Sequence, residues 1–344
     1  MTDRVTLADI AQHLGVSKSS VSLALNSRPG VSEELRQRVV EVARRMGYEG
    51  KATYTENSGK SRVVLLLHQE HRANQGITGI RLGYVEGIQD AASAYGFQVV
   101  VDSLAKDESV VLSLEMLKTS PDKVLGILLV GMKGPDDPNV DRIRQMGPPF
   151  VIVNRYCPDC RISFVGTDFR HAEAEAVEYL SELGHRKIAF VGLTRDTDYS
   201  WYQQRRDGYL DGLASVSSLS DDRFLIETEN VQQAVVRLLD QASDATAICA
   251  ASDDVAVQLL HELKHHGRRV PQDMSVIGFD NDLHLFPSDP PLTTFDFNEF
   301  EIGYLAVRTL AELHGNTDIC CLQVIVNTNL VERNSCALPQ EAQH

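Results

Sequence analysis

The chain has 344 residues, 43% apolar and 24% charged; this leaves room for a small domain beside one large or two medium ones and excludes a disordered chain or a disulfide scaffold. No apolar run approaches membrane-spanning length and the first residues are polar, so neither a membrane segment nor a secretion signal is expected; a cytoplasmic location with six reduced cysteines follows. The net charge of -15 disfavours nucleic acid only in bulk, because residues 1–51 hold eight Lys/Arg against six Asp/Glu while the remainder holds 25 against 42.

The first element runs from Thr6 in TLADIAQHLGVSKSSVSLALN. Thr6 is placed to cap a helix and Asp9, three residues on, to answer it. Leu7, Ile10, Ala11 and Leu14 recur with helical spacing and give one apolar face. Gly15 ends that helix where the chain must turn. Ser17 is placed to cap a second helix that buries Val21, Ala24 and Leu25 and shows Lys18, Ser19 and Ser22 outward. Short polar and basic side chains there suit reading of base edges in a major groove. Past Arg28-Pro29-Gly30, Ser32 caps a third helix with Leu35, Val39, Val42, Ala43 and Met46 as its inner stripe. Residues 1–49 thus read as a three-helix helix-turn-helix DNA-binding domain. A three-helix bundle with no nucleic-acid role is the plainer alternative, but the caps, the turn glycine and the polar first turn agree on the former.

Residues 50–61, GKATYTENSGKS, lack apolar period and read as a linker. Beyond them short apolar strands alternate with amphipathic helices. The strands fall at Val63–Leu67, Phe97–Val101, Val124–Val130 and Phe150–Asn154, then Lys187–Val191, Ala247–Ala250, Ser275–Phe279 and Thr293–Phe297. Helices fall at Gly79–Tyr95, His171–Leu183, Tyr202–Leu213, Asp253–His266 and Glu299–His314. Two such series predict an α/β core of two doubly wound parallel-sheet lobes over 62–344. Its ligand site is expected between the lobes, at the carboxyl ends of the strands.

The headpiece stretch, followed by VS…LRQRVVEVARRMGY, resembles the DNA-binding headpiece of the lactose/galactose-repressor (LacI/GalR) family. The resemblance continues through LGHRKIAF at 183–190, Arg205 with Gly208-Tyr209, residues 250–253, PQDMSVIGFD at 271–280 and PPLTT at 290–294. It implies a periplasmic-binding-protein-like core with discontinuous lobes, an N-lobe of 62–165 and 292–320 and a C-lobe of 166–291 and 321–336. It also implies a homodimer on a palindromic double-stranded operator, with affinity modulated by a small molecule. A sugar is the leading class, a purine or nucleoside the alternative. Lys18 and Ser19 fall on the family's specificity positions, and a third falls on Leu23, which offers only apolar contact, for instance to a thymine methyl. Thr6, Ser17 and Asn26 read as phosphate contacts, or, for Thr6 and Ser17, as caps alone. The linker departs from the family: Glu49-Gly50 stands where a proline pair is expected, and Glu56-Asn57-Ser58 near the expected leucine. Nothing apolar is available to wedge a base step, so a smaller or different operator bend is expected.

For the effector, Arg205 sits where the family lays a side chain across sugar hydroxyls, and a planar fork can hold two of them. Asp280 after SVIGF is the matching acceptor, and Asn154 closes VIVN at another strand end. Ser252 and Asp253 follow ICAA, with Asp253 either facing the cleft or capping the next helix. Trp201, the single tryptophan, is a stacking platform or a core residue. One of His68, Gln69 and Glu70 is expected to face the cleft.

Two motifs point elsewhere. HELKH at 261–265 matches a zinc-protease pattern, but its histidines fall on the outer side of a late helix. Cys157-Pro158-Asp159-Cys160 is a lone pair in a loop, too few ligands for structural zinc and not opening a helix; a redox switch there is a minor alternative. No phosphate loop, nucleophile elbow or paired-carboxylate constellation is recognisable, so no enzyme activity, cofactor or metal is expected. A small-molecule-binding protein whose head has lost operator binding remains the rival from another class.

Overall fold

The computed structural model describes residues 6–25, 31–32, 35, 38–39, 42, 63–69, 81–104, 123–132, 136–156, 161–216, 221–282, 287–316 and 318–339; at Ala8, Ser22, Leu23, Leu25, 63–69 and 102–104 only the backbone is described. The chain divides into two compact units, Met1–Lys60 and Ser61–His344.

In the first unit α1 spans Leu7–Leu14 and α2 Lys18–Leu25. The Asp9 carboxylate accepts from both the amide and the hydroxyl of Thr6 at 2.7 Å, which fixes the entry into α1. Gly15 adopts φ 67, the left-handed turn that a side chain would resist. Ile10, Ala11, Val21, Ala24 and Val39 form a small core, with Leu7, Leu14, Val16, Val31, Leu35 and Val42 against it. Ser32 Oγ accepts from the Leu35 amide at 3.3 Å, the expected cap of a third helical segment. Ala43, Met46 and the linker 50–61 lie outside the described residues.

The second unit holds two six-stranded sheets. The first has the order β11-β5-β4-β3-β1-β2, from β1 (Val63–Gln69), β2 (Gln98–Leu104), β3 (Val124–Val130), β4 (Phe150–Val153), β5 (Phe164–Gly166) and β11 (Gln323–Ile325), all parallel. The second has the order β12-β10-β9-β8-β6-β7, from β6 (Ile188–Leu193), β7 (Leu225–Thr228), β8 (Ala247–Ala250), β9 (Ser275–Phe279), β10 (Thr293–Asp296) and β12 (Asn329–Val331), parallel except for β12. Helices α3 (Leu82–Ala94), α4 (Pro138–Met146) and α9 (Glu299–Gly315) belong to the first lobe, and α5 (Phe169–Glu182), α6 (Ser200–Ser215), α7 (Val231–Gln241) and α8 (Asp253–His265) to the second. Burial on both faces explains why β3 and β9 read as unbroken apolar runs: every residue of VLGILLV and SVIGF is buried.

Two lobe boundaries differ from the expectation. Thr293–Asp296 pairs with β9 in the second sheet, so the chain crosses back after Asp296 rather than near 291. Gln323–Ile325 pairs with β5 in the first sheet, so the last crossing follows Ile325 rather than 320. The strand at Thr293–Asp296 is the one read from sequence, but only its pairing with β9 shows which sheet it completes, and the three-residue edge strand Gln323–Ile325 carries too little pattern to be placed from sequence. Phe169, Phe279, Phe295 and Phe297 line the crossovers as an aromatic column with centroids 5.7–6.2 Å apart, and Tyr84 of the first lobe joins it 6.3 Å from Phe297.

Candidate functional site

On the head, Ser17, Lys18 and Ser19 are exposed at the start of α2. Ser17 Oγ accepts from the Ser20 amide at 2.9 Å and shares hydrogen bonds of 2.8 Å with the Ser19 and Ser20 hydroxyls. The serine cluster therefore organises the helix start, leaving Lys18 as the long cationic arm. Thr6 is exposed at the N-cap of α1, its hydroxyl held by Asp9. The side chains of Ser22 and Leu23, and Asn26 altogether, lie outside the described residues.

In the second lobe Arg205, on α6, is 2% exposed. Its Nε donates to Glu173 Oε2 at 2.7 Å, Nη2 to the same oxygen and to Ala250 O at 3.2 Å, and Nη1 to Ala251 O. Its guanidinium lies 3.9 Å from the centroid of Phe279. The fork that was expected to span ligand hydroxyls is thus engaged by a buried carboxylate and the carbonyls at the end of β8. Glu173, completely buried on α5, supplies the counter-charge: burial pushes its carboxyl up and Arg205 draws it back. Burial likewise pushes the neighbouring Cys249 thiol up.

Ser252 caps α8, its Oγ accepting from the Val255 amide at 3.3 Å, so the capping alternative offered for Asp253 is not realised. Asp253 is 1% exposed and ties strand ends together instead. Its carboxylate accepts from Thr294 Oγ1 at 2.7 Å and from the Asp282 amide at 2.9 Å. A Cβ at Gly278 would collide with this carboxylate, so the glycine of SVIGF is what lets Asp253 lie across β9. Asp280 follows β9 with φ 126, held by its amide on Phe295 O at 2.9 Å. Burial pushes its carboxyl up to about 7, against the pull of Arg81, whose Nη2 lies 3.1 Å away.

The first lobe contributes Asn154 at the end of β4, with φ 56 and its amide on Val165 O at 2.7 Å. Its Oδ1 is buried without a hydrogen-bond partner among the described residues, as are Thr167 Oγ1 beyond β5 and the hydroxyl of Tyr84 in α3. Buried polar atoms left without partners at strand ends are what a hydroxyl-bearing ligand would satisfy. Arg155 is buried beside Asn154, donating to Met132 O and Asn154 O at 2.6 Å each. Trp201 is half-buried and packs on Tyr199 and Tyr202, with centroids 6.4 and 5.8 Å away. His68 lies in β1, its backbone in register with Ser103 and Val130; its side chain and Glu70 lie outside the described residues, as does the side chain of Gln69.

The arrangement brings Arg205, Ser252, Asp253 and Asp280 to neighbouring strand ends of the second lobe, with Asn154 at a strand end of the first. Sequence reasoning missed Arg81, Tyr84, Glu173 and Glu299. Glu173 left a signal: in FRHAEAEAVEYL the stripe Phe169, Ala172, Ala176, Val177 and Leu180 places it on the buried face. The histidines of HELKH are exposed with ring centroids 4.4 Å apart, and among the described residues no cluster of three metal-ligating side chains occurs. Residues 157–160 lie outside the described residues. No helix among the described residues is long and apolar enough to cross a membrane.

Comparison with known proteins places both units. Residues 6–50 match the bacterial regulatory proteins of the lacI family, and residues 177–336 a periplasmic binding protein-like domain. The chain is 30% identical over 344 residues to the HTH-type transcriptional repressor CytR of Escherichia coli strain K12, with 97% of each chain covered. A solved complex of the transcriptional regulator CelR with cellobiose superposes with a TM-score of 0.67 at 26% identity, covering 96% of this chain and 100% of that one. The lac repressor dimer bound to operator and the anti-inducer ONPF gives a TM-score of 0.64 at 21% identity over 97% of this chain, a likeness of fold.

Proposed function

Because the chain belongs to the lacI family of bacterial regulatory proteins, we infer that it is a dimeric, cytoplasmic transcriptional repressor whose operator affinity is set by a sugar held between its two lobes. DNA binding and regulation follow from the family, as does the absence of enzymatic chemistry. The observation that carries the ligand half is the set of buried polar atoms without partners among the described residues of the first lobe, Asn154 Oδ1 and Thr167 Oγ1 past the ends of β4 and β5 and Tyr84 OH in α3. Hydroxyl groups pair with such atoms, and a relative of the same fold was solved with cellobiose.

On DNA, Lys18 and Ser19 would read base edges, with Leu23 offering apolar contact. Thr6, Ser17 and Asn26 would meet phosphates. Two heads about 34 Å apart, one turn of duplex, would take the two halves of a palindrome. At the effector site Asp280 would accept from a ligand hydroxyl and Asn154 would bond another. Ser252, Asp253 and Arg205 would form the floor, and Trp201 and His68 the flanks. Lobe movement that changes head spacing couples the sites, by about 1–3 kcal/mol in systems of this kind.

Thermal unfolding against a panel of neutral sugars, sugar phosphates, nucleosides and purines tests this reading. A ligand at 100 times its dissociation constant adds about 2.7 kcal/mol, a readable shift. The expected result is a shift with a neutral sugar that Asn154→Ala and Asp280→Asn abolish. A shift with purines or nucleosides alone would keep the fold and replace the ligand class, and no shift with any compound would remove the effector half.

A further inference from the structure

Arg81 stands immediately before α3 in the first lobe and reaches into a group of carboxylates drawn from both lobes. Its Nη1 donates to Glu299 Oε1 at 2.6 Å, in α9 of its own lobe. Across the divide, its Nη2 lies 3.1 Å from Asp280 Oδ2 and its Nη1 3.6 Å from Asp282 Oδ2. The guanidinium also sits 5.3 Å from the ring centroid of Phe297, at the crossover itself. One cation thus serves three carboxylates, each side chain no more than 20% exposed.

Both ends of this contact are stiff. On the first-lobe side the starts of α3 and α9 are so close that a Cβ on Gly83 would come within 2.6 Å of the Glu299 side chain. On the second-lobe side Asp280 and Asn281 have φ 126 and 58, conformations that non-glycine residues hold only where the surroundings impose them. Those surroundings are hydrogen bonds within the second lobe: Asp253 accepts the Asp282 amide, and Asn281 is gripped by Asp296 at 2.9 Å and Arg333 at 2.7 Å.

We propose that Arg81 is an interlobe clasp, built into the chain, that holds the two lobes together without a ligand by neutralising Asp280 and Asp282 across the cleft. The electrostatics make it two-state. With the guanidinium in place the lobes are drawn together. With it withdrawn, Glu299 of one lobe faces Asp280 and Asp282 of the other with no cation between them, and these carboxylates can ionise together only if the lobes separate and admit water. The proposal goes beyond the ligand reading above and stands without it. It also gives that reading a condition, because an effector bound to Asp280 would share or displace a contact that Arg81 already makes.

The test is single-molecule FRET on the full-length chain without ligand, with dyes on non-canonical residues at the exposed positions Gln145 in α4 and Gln233 in α7. The wild type is expected to show one short interlobe distance. Arg81→Gln is expected to shift most molecules to a longer, broader distance, and Arg81→Lys to retain the short one in part. Adding Asp280→Asn and Asp282→Asn to Arg81→Gln should restore the short distance, because the repulsion is then gone; a role in packing alone would give no such rescue. Thermal unfolding of each variant checks that both lobes are folded. An Arg81→Gln distribution matching the wild type, or a triple variant that stays open, would overturn the proposal.

Discussion

Glu173, Ala250 O, Ala251 O and Phe279 hold Arg205 inside the second lobe, where its guanidinium is paired with a fully buried carboxylate. Removing one member of a buried pair strands the other, a loss of about 3–5 kcal/mol, whereas replacing both with apolar side chains costs far less. Glu173→Ala should therefore lower the urea midpoint by that amount of stability, and Glu173→Met with Arg205→Met should recover part of it. Equal loss in the single and double variants would show that the pair is not the strut described. The same geometry warns that loss of ligand response in Arg205→Ala would report a damaged strand end as much as a missing ligand contact.

The elements were legible where they were long and periodic. VLGILLV, AICA and SVIGF stand as β3, β8 and β9 with the expected ends, because strands buried on both faces are continuous apolar runs. Strands β5, β11 and β12 were not, since three residues cannot declare a face and depend on the neighbour they join. Helix α7 was readable but unread: Asn230 caps it and Val231, Ala234, Val235 and Leu238 form its stripe. Motifs, too, were legible as patterns before their work was known. The histidine of LGHR is such a case: His185 is 1% exposed, its Nδ1 2.9 Å from Thr246 Oγ1 and its Nε2 3.0 Å from Ser275 Oγ and 2.9 Å from Ala337 O. It thereby pins the approach to β6 to the starts of β8 and β9 and to the final segment. Burial holds its pKa below the usual 6.5. Below pH 6.5 the unfolded chain takes up a proton that the folded chain refuses, so stability falls as pH drops from 6.5 towards the lower folded value. Melting temperature should accordingly decline from pH 7 to pH 5, with a shallower slope in His185→Gln; identical slopes would contradict the assignment.

At the scale of the whole molecule, sequence alone carried the two-part organisation: a basic head with capped short helices, then two rounds of alternating strand and helix. It could not carry the site, because Arg81, Glu299 and Asp280 are separated by up to 218 positions and meet only through the crossovers. The same folding logic that makes each lobe discontinuous puts charged groups of both lobes at one place, where a ligand or Arg81 can tie them. A cleft that governs the head's grip on DNA must change operator affinity when it fills. Fluorescence anisotropy of the full-length protein on genomic fragments addresses it directly, titrated at two salt concentrations, with and without whichever compound raises the melting temperature. Expected are sequence-specific, salt-sensitive binding to a palindromic site, a loss of affinity in Lys18→Ala, and a roughly five- to 150-fold change on adding the compound, about 1–3 kcal/mol of coupling. Binding that ignores sequence, or an operator affinity unmoved by a compound that saturates the cleft, would contradict it.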